Sequence, residues 1–179
     1  RGRKSISRLV AMGSVSVAEA QAACEGLVLR PMRVKRYRQV GEALLAVLRE
    51  WGPVEKTSYD DFYVDLTARG PTAGRHAAGG HAGSAACSPR VWGDGGVAPD
   101  LLAGCAAAAA MREAALARLG LPISAGVGRS KLVARMLSAA AKPLGEVGGG
   151  LAVVGDASQQ ALMASRRITS VPGLQGKRG

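Results

Sequence analysis

The sequence predicts an α+β domain with helices on one face of an antiparallel sheet. Three observations carry this. Apolar residues recur at helical spacing from Val34 to Glu50, at Tyr37, Val40, Leu44, Val47 and Leu48. A β-rich run follows from Val54 to Thr67, and its second half alternates, with Phe62, Val64 and Leu66 on one face and Tyr63, Asp65 and Thr67 on the other. Helix and strand patterns then alternate from residue 100 to residue 165. The order is helix, strand–turn–strand, insertion, helix, strand, helix, strand.

Taken in chain order, residues 17–24 (VAEAQAAC) read as a short helix and 27–29 (LVL) as a short strand. Gly52-Pro53 stops the helix that begins at Val34. The stretch ARGPTAGRHAAGGHAGSAACSPRVWGDGG is dominated by Gly, Ala, Ser and Pro, so residues 69–98 are expected to be an irregular, disordered insertion. His76 and His81 lie in it and read as spacers, because a metal site needs three or four ligands. Asp100 is placed to cap a helix running to Leu119, with Gly120 just past its end. LPISAGV reads as a buried strand. Ser130 caps a helix from Lys131 to about Ala141, and Pro143 prevents its continuation. GGGLAVVG gives a turn and a short strand, and residues 157–165 read as helical. There is no internal repeat.

Composition bounds the function. A chain of 179 residues holds one ordinary domain, or one domain and a fragment. Hydrophobic residues reach 47%, but much of that is alanine and there are 25 glycines, so the packed core is smaller than the percentage suggests. The net charge of +11 and pI near 10.4 favour a polyanionic partner, nucleic acid before acidic membrane. Cys24, Cys87 and Cys105 are widely spaced and form no CxxC pair, which argues against a zinc site or a disulfide framework and fits a reducing compartment. LLAGCAAAAAM is too short to span a membrane. The basic start RGRKSISR is followed by no apolar signal core, and without an initiator Met the chain is expected to begin inside a longer protein.

The pair Asp60-Asp61 stands inside the β-rich run. In a regular strand the two side chains would point to opposite faces. Residues 54–59 and 62–67 are long enough for two hairpin strands with the acids at the turn, where both can reach one point. Two readings remain open on this stretch alone. Asp is common in exposed turns, and two carboxylates also suit a hard, oxygen-seeking cation such as Mg²⁺.

The wider sequence bears on that choice. TSYDDFYVDLT resembles the S-x-D-E motif and following V/L-D-L-T of Y-family translesion DNA polymerases. The preceding KRYRQVGEALLAVLREWGPVEK is similar to that family's K/R-Y-R helix. AMREAALARLGLPISAGVGRSKLVARMLSAAAKP resembles the block M-R-x-A…S-A-G-I-x-x-N-K-x-L-A-K…K-P, and ITSVPGLQGKRG resembles the start of a helix–hairpin–helix thumb. The blocks occur in the family's order and cover roughly residues 17–67 and 100–179. MREA…LGL and VPGL lean towards the iota branch without separating it from eta.

The resemblance implies a ferredoxin-like polymerase palm at residues 27–155, a remnant of the fingers at 1–26 and the start of a helical thumb at 156–179. It implies DNA-directed DNA polymerase activity in damage bypass and repair, a two-metal Mg²⁺ site, primer-template DNA and a dNTP as partners, a sliding clamp engaged through other regions, and a nuclear location. Asp60 takes the place of a metal-ligating Asp, and Asp61 that of the Glu ligand. Ser58 matches the motif's Ser, Lys142 the lysine that contacts the triphosphate, and Lys131 the lysine of N-K. Gly173, Gly176 and Lys177 match the DNA-binding hairpin. The departures are Asp61 for Glu, Ser130 for Asn, Arg135 for Lys, Leu144 for Asn, and no match to the family's first metal Asp. With two acidic ligands of three, the chain is expected to extend a primer negligibly by itself. The alternatives are a non-enzymatic, polymerase-derived DNA-binding fragment and another two-metal palm enzyme such as a nucleotide cyclase.

Overall fold

The structure is a computed structural model that describes residues 16–67, 89–142 and 149–171. Its elements are α1 (Val17–Ala23), α2 (Val34–Arg49), β1 (Val54–Lys56), β2 (Phe62–Val64), β3 (Arg90–Trp92), α3 (Pro99–Leu119), β4 (Ala125–Val127), α4 (Lys131–Ala140), β5 (Leu151–Val154), α5 (Asp156–Ala164) and a 3₁₀ turn at Ile168–Ser170. The expected insertion lies outside the described residues up to position 88.

The hairpin follows from the alternation. β1 and β2 pair antiparallel, Val54 opposite Val64 and Lys56 opposite Phe62. Val54, Phe62, Val64 and Leu66 all pack on one side, against Leu44 and Leu48 of α2 and Met111 and Ala115 of α3. This is the layering expected, helices on one face of an antiparallel pair. α2 buries only its second half, Gly41 to Leu48. Tyr37, counted from spacing as part of the apolar face, is 40% exposed.

The second sheet corrects the expected topology. Its order is β3-β5-β4, and both pairings are parallel. Helices cover both of its faces. Leu151 and Val153 of β5 pack against Leu101, Cys105 and Ala108 of α3. Ala152 and Val154 pack against Val133, Met136 and Leu137 of α4 and Leu162 of α5. A central strand buried at every residue is what a parallel sheet requires, since each crossover lays a helix on a face. The continuous run LAVV carries that signature.

Three local expectations also change. LVL at 27–29 forms no strand, and Val28 and Leu29 are exposed. It is followed at once by Arg30-Pro31, and Pro31 offers no backbone donor for a ladder. Within 69–98, residues 90–92 are ordered as β3, the edge strand beside β5. Asp100 is not the cap of α3. The cap position is Ala98, with Pro99 at the first helical position, where its missing N–H costs nothing. Gly120 does close α3, in the left-handed region at φ 65°. Ser130 caps α4 as expected, its hydroxyl accepting from the Val133 amide at 3.3 Å.

Candidate active site

Five residues, Thr57 to Asp61, join β1 to β2. The Thr57 amide donates to the Asp61 carbonyl at 3.0 Å, which closes the loop just beyond the last strand pair. Ser58 organises the rest. Its hydroxyl accepts from the amides of Asp60 (3.3 Å) and Asp61 (3.1 Å) and donates to Asp60 Oδ1 at 2.7 Å. One short side chain thereby curls the backbone under both acids, as Ser does in turns generally. Both carboxylates are exposed.

The turn faces α4. Arg135 Nη2 lies 3.9 Å from Asp61 Oδ2. Lys131, one turn earlier, is ion-paired with Glu55 of β1, and its ammonium sits 5.7 Å from the centroid of the Tyr63 ring. Lys142, just past the end of α4, is exposed. Positions 131 and 135, one turn apart, lie on the same side of α4. Lys142 follows Arg135 by seven residues, beyond the end of the helix. The structure thus brings the Asp60-Asp61 turn and Arg135 together, and Lys142 stands past the end of the same helix. Gly173, Gly176 and Lys177, with His76 and His81, lie outside the described residues.

Two exposed carboxylates on one turn offer the hard oxygen donors that Mg²⁺ takes. Among the described residues, no group of three or more His, Cys, Asp or Glu converges as a metal seat. The turn fits two ligands of such a site. Sequence reasoning had noted Arg135 only as a substitution. The spacing of Lys131 and Arg135, four residues apart at the start of a predicted helix, was the available signal that both cations share one side of it.

A second ion cluster braces the frame. Arg129 donates to both Asp156 (2.5 and 2.8 Å) and Asp100 (2.6 and 3.2 Å). Its hydrogen bonds hold both carboxyls below the usual carboxylate value. The pair ties the first turns of α3 and α5 to the loop before α4, and an anion in a first helical turn is favourable in itself. Arg112 of α3 donates to the carbonyls of Ile123 (3.0 Å) and Gly149 (2.5 Å), joining the segments that enter β4 and β5.

The fold and the turn define a mixed helix-and-sheet domain carrying an acidic hairpin loop opposite a cationic helix. Residues 9–139 match the model of the impB/mucB/samB family. The chain belongs to that family, the Y-family of translesion polymerases, which sets aside a cyclase-type palm enzyme. It is 32% identical over 136 residues to DNA polymerase iota of Drosophila melanogaster, covering 71% of this chain and 18% of that protein. It is 27% identical over 168 residues to human DNA polymerase iota, covering 89% and 22%. It is 26% identical over 163 residues to DNA polymerase IV of Pasteurella multocida (strain Pm70), covering 90% and 36%. Among solved structures, the insertion ternary complex of Dbh DNA polymerase shares the fold at TM-score 0.65 and 18% identity, covering 97% of this chain and 42% of that one. The chain therefore spans roughly a fifth to a third of the length of these curated relatives.

Proposed function

We propose that this chain is the palm-centred part of a translesion DNA-directed DNA polymerase of the eta/iota type, acting in damage bypass in the nucleus. The observation that carries the reading is the Ser58-ordered turn, which presents Asp60 and Asp61 together and opposite Arg135 of α4. The reaction would be nucleotidyl transfer, attack of a primer 3′ hydroxyl on the α-phosphate of a dNTP. Asp60 and Asp61 would hold Mg²⁺, which when bound supplies neutralisation of the triphosphate and a more acidic hydroxyl. Ser58 fixes the angle at which both acids face outwards. Lys142, a point charge at a helix C-terminus, would bind phosphate oxygens and stabilise charge on the leaving pyrophosphate. In this reading primer-template DNA lies along the basic surface, and a sliding clamp engages the longer protein elsewhere.

A second reading is supported by one observation, the want of a third acid beside the pair among the described residues. It makes the chain a DNA-binding fragment without catalysis. Fluorescent dNTP binding to the whole chain separates the two. The polymerase reading expects binding that requires a divalent cation, is lost in D60N, and is weakened about tenfold in K142A, the worth of one charge-assisted phosphate contact. DNA binding that is salt-dependent but indifferent to dNTP, to the metal and to D60N would overturn it in favour of the second reading.

A further inference from the structure

We propose that Arg135 is a built-in competitor for the divalent cation at Asp61, so that the acidic turn is guarded while no cation is bound. The inference rests on the reading that Asp60 and Asp61 form a cation seat. The two acids are engaged differently. Asp60 accepts from the neighbouring Ser58 hydroxyl at 2.7 Å, a local bond that a cation on the other oxygen leaves in place. Asp61 Oδ2 instead faces a guanidinium from another element. At 3.9 Å this contact is longer than a directional hydrogen bond, so Arg135 neutralises Asp61 without being latched to it.

Other cations cannot easily take its place. Lys131, on the same stripe, is held by Glu55 and lies against Tyr63. Lys142 lies seven residues on, past the end of α4. A divalent cation bound to Asp61 at about 2.1 Å would sit within a few ångströms of the guanidinium. Like charges at that range repel, so cation entry and the Arg135–Asp61 contact exclude one another. Both side chains are more than half exposed, at 52% and 62%, so the guard is weak and swings aside into water. A lysine in place of Arg135 would have a shorter reach and a more compact, more strongly hydrated charge.

The test is a Mn²⁺ titration of the whole chain, followed by the electron paramagnetic resonance signal of free Mn²⁺. R135Q should bind Mn²⁺ about three- to fivefold more tightly than the wild type, the worth of an exposed ion pair. R135K, which keeps a charge, should fall between them. D61N should bind more weakly, and R135Q/D61N should match D61N, because the competition acts only through Asp61. Circular dichroism establishes that each variant keeps its helices. Tightening in R135Q that vanishes in the D61N background supports the proposal. An R135Q affinity equal to or weaker than wild type, with D61N still weakened, overturns it while leaving the cation seat intact. An R135K affinity equal to that of R135Q overturns competition by charge. If D60N and D61N both leave Mn²⁺ binding unchanged, the cation seat itself fails and the proposal with it.

Discussion

Replacing Gly126 by alanine should cost the chain a large part of its stability, because β4 and α4 meet there backbone to backbone. A Cβ at position 126 would stand 2.1 Å from the Ala134 carbonyl oxygen, 2.4 Å from the Ser138 nitrogen and 2.8 Å from Leu137 Cβ. An ordinary contact lies at about 3.5 Å, so α4 must retreat by about 1 Å or more. Two of the three neighbours are main-chain atoms and cannot turn aside. Gly126 does not have a positive φ, so the whole effect comes from this contact. Overpacking costs about 1–3 kcal/mol in general, and a clash against helix backbone belongs at the top of that range, about 3 kcal/mol. For a chain of this size that lowers Tm by roughly 6–12 °C. Gly104→Ala is the control. Its Cβ would meet only the tip of Val127 at 3.0 Å, and the gain in helix propensity of about 0.5–1 kcal/mol offsets the squeeze. Urea denaturation followed at 222 nm measures both. G126A within about 0.5 kcal/mol of wild type, the ordinary range for harmless substitutions, or no less stable than G104A, would refute the packing argument.

Three further outcomes follow from the same structure. Ser58→Ala removes the hydroxyl that orders the acidic turn, so Mn²⁺ affinity should fall severalfold while the unfolding free energy from urea denaturation changes by about 1 kcal/mol or less, because the three hydrogen bonds lost are exposed and water replaces them. Asp100 and Asp156 are held below the ordinary carboxylate value of 3.8 by Arg129, so their stabilisation is full above about pH 3.8 and is lost as pH falls through the lower folded values. Urea midpoints between pH 5 and pH 2 should therefore decline less steeply in R129A than in wild type, and equal slopes would show that the cluster adds nothing. Burial pushes the Cys105 thiol up to about 11, so iodoacetamide at neutral pH should label Cys24 in the native chain and Cys105 only in urea, as peptide mapping would read.

The sequence made the hairpin legible because period-two alternation at Phe62, Val64 and Leu66 leaves little choice of face. It made the helices legible through spacing and caps, Ser130 and Gly120 above all. Sheet direction was not legible. Ala125–Val127 and Leu151–Val154 are three and four residues long, and nothing in so short a run records whether its neighbour is parallel. β3 was hidden because RVW stands in a run of Gly, Ser and Pro and gains its order from pairing with β5, a contact about sixty residues away in the chain. At the site, the acids were visible as an adjacent pair. Their partner was not, since Arg135 meets Asp61 only after α4 has been laid across the sheet.

That placement depends on buried contacts and not on the ion pairs at the surface. The Arg135–Asp61 and Lys131–Glu55 pairs are exposed and individually weak. What holds α4 over the turn is the burial of Val133, Met136 and Leu137 against β5 and the close approach permitted by Gly126. The hairpin is held from the other side, by Leu44 and Leu48 of α2 and by Met111 and Ala115 of α3. α3 touches both sheets, with Leu101, Cys105 and Ala108 on β5 and Met111 and Ala115 on the hairpin. The separation of the acidic turn from α4 is thus set through α3, by two apolar clusters at successive turns of one helix. Substitutions in those clusters should move the site more than substitutions in the site move stability. An exposed turn can then carry repelling carboxylates without weakening the fold, because the fold does not depend on them.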